Sequence, residues 1–175
     1  MIRTTNKNEN YTPIKQVGNN LYLICWGKKP LVQRKEDAEG NVIESTSEEV
    51  STWMEEMVRF KPSLDYIKNL IIGWHNEQID EKILSGFVWN EMPVWLSSEN
   101  QFNYKAAYDL AVQTGGANLP VTFKFGTTNE PVYHTFTTVE ELNGFYLSAM
   151  KYINDTLAAG WREKDAIDWE QYKME

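Results

Sequence analysis

The chain has 175 residues, with 17 basic against 25 acidic side chains, a formal net charge of −8 and 42% apolar residues. That composition belongs to an ordered globular chain rather than a disordered one, and a chain of this length buries roughly 70% of its unfolded surface. Apolar stretches such as residues 21–26 are far too short to span a bilayer, and a lone cysteine, Cys25, rules out an internal disulfide.

The single thiol fits a reducing compartment, and the N-terminal residues lack the apolar run of a signal peptide. Charge is segregated along the chain. Residues 1–35 carry seven basic side chains against Glu9 alone, whereas residues 36–61 carry eight acids against Arg59 and Lys61. Residues 62–175 hold the whole net −8. The break near Lys61-Pro62 suggests a small β-rich module over residues 1–61 and an α+β domain over residues 62–175. The acidic excess of the second argues against a nucleic-acid partner, because a phosphate backbone would be repelled.

Residues 21–26 and 31–35 read as two short strands separated by the turn-forming run Gly27-Lys28-Lys29-Pro30. A polar segment over residues 36–41 then turns the chain into Val42-Ile43. Residues 52–60 alternate Met54, Val58 and Phe60 with Glu55 and Arg59 and read as a further strand, although Glu56 interrupts the apolar face. A small antiparallel sheet is the expectation for this module.

After Pro62, Ser63 is placed to cap a long helix reaching about Ser85, with Leu64, Ile67, Ile71 and Trp74 at helical spacing. Gly73 inside it suggests a bend or a close crossing, and Gly86 sits where a C-terminal cap glycine belongs. Residues 87–89 and 94–96 flank a turn at Asn90-Glu91-Met92-Pro93. Ser97 or Ser98 then caps a helix whose apolar stripe is read as Phe102, Ala106, Leu110 and Ala111, ended by Gly115-Gly116.

Residues 121–125 and 132–136 form a second hairpin, in which Phe123 and Phe125 share a face and bury together. Thr138-Val139-Glu140-Glu141 is a capping box opening a last helix with Leu142, Phe145, Ala149, Ile153 and Leu157 on one stripe and Gly160 as its end. The expected fold class is therefore α+β: a small N-terminal antiparallel sheet, a long helix, then hairpin–helix–hairpin–helix.

Catalytic chemistry finds little support. His75 lacks a ligating partner one helical turn on, His134 stands alone in a hairpin strand, and Cys25 lies in an apolar strand as a small hydrophobe. Adjacent carboxylates such as Glu140-Glu141 point to different faces, so they are not acid–base pairs. No phosphate-binding glycine loop, nucleophile elbow or zinc-protease motif is present. No catalytic residue, no metal site and no cofactor are expected.

Aromatic residues stand out, with seven Trp, nine Tyr and seven Phe. Trp89 and Trp95 occupy the two arms of the first hairpin, either filling the core or forming a platform on which a sugar stacks. Trp161, Asp165, Trp169 and Tyr172 fall at i, i+4, i+8 and i+11, a single stripe if the segment after Gly160 is a helix. That makes Trp161, Trp169 and Tyr172 candidate contacts for a protein partner or for packing on the chain's own domain.

The run from Asp80 through Gly86-Phe87-Val88-Trp89-Asn90 joins Val94-Trp95-Leu96-Ser97 and Leu119-Pro120-Val121-Thr122-Phe123-Lys124-Phe125 in consistent order. With Phe136-Thr137-Thr138-Val139-Glu140-Glu141-Leu142 and Gly160-Trp161-Arg162-Glu163-Lys164-Asp165, it resembles a family of uncharacterised domains of bacterial prophage and phage tail-region proteins, common in gut Bacteroidales. The resemblance covers about residues 76–169 and departs at Glu91, where relatives often carry glycine. It implies no activity and no site residues. It implies a phage- or prophage-derived protein, made in the cytoplasm of the bacterial host, linked to tail structure or assembly and, where it is a part of the tail itself, carried on the virion. Its partner would be another tail component or a second copy, with no membrane involved. The expected function is a non-enzymatic structural or interaction module. The alternative is a carbohydrate- or polymer-binding domain using an aromatic platform.

Overall fold

The computed structural model describes residues 1–36 and 41–174. It is an α+β chain in two compact units, Met1–Ile72 with Asp168–Glu175, and Gly73–Ile167. The charge break at Lys61-Pro62 thus precedes the point where the units part, which lies inside the first helix.

The first unit is built on a four-stranded antiparallel sheet of β1 (Ile2–Lys7), β2 (Ile14–Gly18), β3 (Leu21–Glu36) and β4 (Val42–Val58), in the order β1-β4-β3-β2. The run Gly27-Lys28-Lys29-Pro30, expected to be a turn, lies inside the continuous strand β3. Register shifts fall between Trp26 and Lys29 and between Pro30 and Val32, and Gly27 takes φ 64°. Glycine and proline here mark bulges, which insert residues and twist a strand without ending it. The expected turn over residues 36–41 falls largely on residues 37–40, outside those described. Residues 52–58 belong to β4, where Glu56 is half-buried.

Ile24, Cys25 and Trp26 of β3 and Trp53 of β4 are buried, as is Tyr172 from the C-terminal segment. The helix α1 (Leu64–Ser85) opens as expected, with the Tyr66 N–H donating to Ser63 Oγ at 3.2 Å. Its Ile67 and Ile71 are fully buried.

The second unit takes Ile79 and Ile83 from the rest of α1 into one core with two hairpins and two helices. The first hairpin, β5 (Phe87–Trp89) and β6 (Met92–Val94), closes on a two-residue turn, not on the four residues read from the sequence. Asn90 and Glu91 both have positive φ, 46° and 66°, the signature of the primed turns that match strand twist. Then follow α2 (Ser98–Thr114), β7 (Val121–Gly126), β8 (Pro131–Phe136) and α3 (Val139–Asp165).

Ser97 caps α2 by accepting from the Asn100 N–H at 3.2 Å, and Gly115 ends it at φ 60°. The buried face of α2 differs from the expected one: Phe102 is 71% exposed and Leu110 48% exposed, while Tyr104 and Ala111 are buried. Tyrosine supplies this stripe because Tyr108 stacks on Tyr146 of α3 at 4.7 Å and the Tyr104 ring meets Phe123 at 4.7 Å and Phe145 at 5.0 Å. Phe145 is the hub of the core, with Phe125 and Phe136 both at 5.2 Å and Trp89 at 5.6 Å. Phe125 is buried and Phe123 half-buried, on their shared face.

Three glycines play other parts than their places in the sequence suggest. Gly160 does not end α3, which runs five residues further; it is buried, and a Cβ there would overlap the end of the Ile79 side chain. Gly86 follows α1 without a left-handed φ, and a Cβ there would overlap the Tyr152 hydroxyl, which donates to the Lys82 carbonyl at 2.8 Å. Gly73 faces open space, so it marks no close crossing. Thr138 caps α3 by accepting from the Glu141 N–H at 3.2 Å. The carboxylate of Glu141 does not complete the reciprocal half of the capping box but meets His134 Nε2 at 2.9 Å.

Candidate functional site

The five aromatic candidates separate. Trp89 is half-buried and packs edge-on against Phe145, so it serves the core. Trp95, just past β6, is 50% exposed. The stripe expected after Gly160 does not form, because α3 ends at Asp165 and only a short 3-10 turn, Glu170–Tyr172, follows. Trp161 lies within α3 and is 55% exposed. Trp169 is half-buried, with the Lys68 ammonium over its ring at 5.8 Å. Tyr172 is buried, and its hydroxyl donates to the Cys25 carbonyl at 3.0 Å. Tyr11 converges on the same carbonyl at 3.3 Å. Burial first, and the neighbouring Tyr11, push the Tyr172 phenol well above the usual tyrosine range.

Cys25 is held by the same environment. Burial, followed by the Glu55 carboxylate opposite it on β4, pushes the thiol up to about 11. A nucleophilic thiol needs the reverse, so Cys25 is a core residue. His134 stacks on Phe125 at 6.0 Å while paired with Glu141. Among the described residues no group of three or more His, Cys, Asp or Glu side chains is placed to hold a metal ion. No described helix is long and apolar enough to cross a membrane.

Trp95 borders a cleft of about 510 Å³ in the second unit, lined also by Asn100, Lys124, Thr127 and Thr128. Its walls are partly committed: Asn100 Nδ2 donates to the Trp95 carbonyl at 2.8 Å, and Thr127 Oγ1 accepts from the Glu130 N–H at 3.1 Å. An indole beside an amide, an ammonium and two hydroxyls has the chemistry to stack and hydrogen-bond a saccharide ring.

The larger feature is one the sequence reading missed. Beyond the four-stranded part of the first unit, β3 and β4 continue together as a ribbon, with residues 32–36 paired to residues 42–46. The register of β1 on β4 ends at Lys7↔Val50, and that of β2 on β3 ends at Ile14↔Ile24. No other described strand reaches the ribbon, and nearly all of its residues are exposed, among them Val32 at 48%, Val42 at 61% and Ile43 at 54%. An Arg34–Glu44 pair at 2.7 Å ties the two strands across one rung. A two-stranded hairpin is at best marginally stable alone, and its unpaired edges invite another strand. The signal was in the sequence as the basic run up to Lys35 followed by the acidic run, which β3 and β4 place side by side.

Compared with family models, curated proteins and solved structures, the chain finds no match.

Proposed function

We propose that the chain is a non-enzymatic interaction module, of phage or prophage origin and associated with a tail. The observation carrying the interaction role is the ribbon of β3 and β4, with both faces and both edges exposed and apolar residues on display. An element that buries nothing of its own and still carries valine and isoleucine is a surface built to be covered. The tail context rests on the sequence resemblance over residues 76–169. The test is a photo-cross-linking residue at Ile43, with Leu147 on α3, 55% exposed, as a control of equal exposure. In the cell that encodes the chain, the Ile43 version gives a discrete adduct that sediments with tail particles, and the Leu147 version does not. Equal or absent adducts overturn the interaction role, and an adduct that stays out of tail particles overturns the tail context.

A second reading has its own support in the cleft at Trp95. There the chain would bind a bacterial surface saccharide, with the indole stacking and Lys124 meeting an acidic sugar. Titration with oligosaccharides, followed by Trp emission, tests it. Binding weakened about tenfold or more by Trp95→Ala supports this reading, and no binding at about millimolar ligand removes it.

A further inference from the structure

The two edges of the ribbon are chemically unlike. Past the last residues paired to β2 and β1, β3 carries Lys28, Lys29, Arg34 and Lys35 with the single acid Glu36, and β4 carries Glu44, Glu48 and Glu49. Arg34 and Glu44 are already paired with each other across the ribbon, and the Glu48 carbonyl already accepts from Asn8 Nδ2 at 2.7 Å. Two copies meeting β3 to β3 would oppose basic side chains, and β4 to β4 would oppose carboxylates; like charges across a strand pair are destabilising. Only a β3 edge against a β4 edge sets opposite charges together while pairing the free N–H and C=O groups. We infer that the partner of the ribbon is a second copy of this chain, added edge to edge with the β3 strand of one copy beside the β4 strand of the next. The inference rests on the interaction role proposed above and names its partner.

A contact between unlike edges is heterologous. It leaves one free edge of each kind at either end of a pair, so the assembly proceeds to a closed ring or an open filament rather than stopping at a two-fold dimer. Val32, Val42 and Ile43 would gain cross-strand neighbours in the widened sheet. The attraction is between exposed charges and weakens with salt.

Sedimentation velocity on the full chain tests this at about 0.01 M and about 1 M salt, between which the screening length falls from about 30 Å to about 3 Å. The chain is expected to form species larger than a dimer at low salt and to shift toward monomer at high salt. The double variant Lys29→Glu with Lys35→Glu makes both edges acidic. The double variant Glu48→Lys with Glu49→Lys makes both basic. Each alone should need about tenfold more protein to associate, while keeping the circular dichroism and melting temperature of the parent. An equimolar mixture of the two restores unlike edges at every junction, and association returns. A parent chain that stays monomeric, or variants that associate alone as the parent does, overturns the inference. So does tighter pairing of the acidic variant with the parent than of the parent with itself, which would mean that β3 edges meet. A monomeric parent that still gives the Ile43 adduct separates this failure from failure of the interaction role.

Discussion

At the scale of single residues, two glycines in helices of nearly equal standing have opposite reasons for being there. Gly73 faces open space, so Gly73→Ala should gain the helical preference of alanine, about 1 kcal/mol, and raise the melting temperature. At Gly160 the added methyl would overlap Ile79, a β-branched core residue only 9% exposed that has little freedom to turn aside. Overpacking of this kind costs about 1–3 kcal/mol, which outweighs the same propensity gain, so Gly160→Ala should lower the melting temperature. Thermal denaturation of the two variants side by side checks the sign of each. Cys25 carries a pH dependence. Its thiol titrates at about 11 in the folded chain against an ordinary 9.0. The folded state therefore holds this proton more tightly, and the stability linked to it is complete below pH 9, then lost as pH rises toward 11. The melting temperature should fall over that window, and Cys25→Ala should flatten the decline there. The buried tyrosines act in the same direction further up, Tyr104 being pushed up by burial to about 12.

At the scale of elements, α2 shows how amphipathic phase is decided. The aliphatic and phenyl residues Phe102 and Leu110 face solvent, while Tyr104, Tyr108 and Ala111 face the core. Tyr104→Ala should cost about 3–5 kcal/mol in chemical denaturation, whereas Phe102→Ser should stay within about 0.5 kcal/mol of the parent. An equal loss from both would refute this phase. Much of the fold was legible locally: the caps at Ser63, Ser97 and Thr138, the second hairpin, and the α+β order all follow from residues adjacent in the chain. What was not legible depended on partners distant in sequence. Nothing near Gly160 announces Ile79, so a glycine needed for close approach looks like a helix end. Nothing near Tyr104 announces the ring of Phe145, so the more apolar phase of α2 looks like the buried one. Gly27 and Pro30 mimic a turn because bulges and turns draw on the same residues. The ribbon was half legible: the basic and acidic runs were visible, but only the pairing of β3 with β4 turns them into two edges of one surface.

At the scale of the whole chain, the C-terminal segment belongs to the unit that the N-terminus begins. Asp168–Glu175 groups with Met1–Ile72, and the link is specific. The Tyr172 ring is 2% exposed and its hydroxyl reaches the carbonyl of Cys25, a residue 147 positions earlier in the chain. That carbonyl sits where β3 loses β2 as a neighbour, so Tyr172, with Tyr11, supplies donors at a point where the ladder on that side stops. Without Tyr172 the first unit would keep its sheet but lose a buried ring and one of the two hydroxyls on that carbonyl. Tyr172→Ala should therefore cost about 3–5 kcal/mol, and the loss should appear first in the N-terminal sheet rather than in α3. Tyr172→Phe, which keeps the ring and removes only the hydroxyl, should cost about 1 kcal/mol, the worth of an ordinary buried hydrogen bond. Hydrogen exchange read strand by strand separates the outcomes. Faster exchange in β2, β3 and β4 of Tyr172→Ala, with α3 protected as in the parent, is the expected result. Exchange that rises only within residues 168–174 would mean that the segment contributes nothing to the sheet, and would leave Trp169 and Tyr172 open again to an external partner.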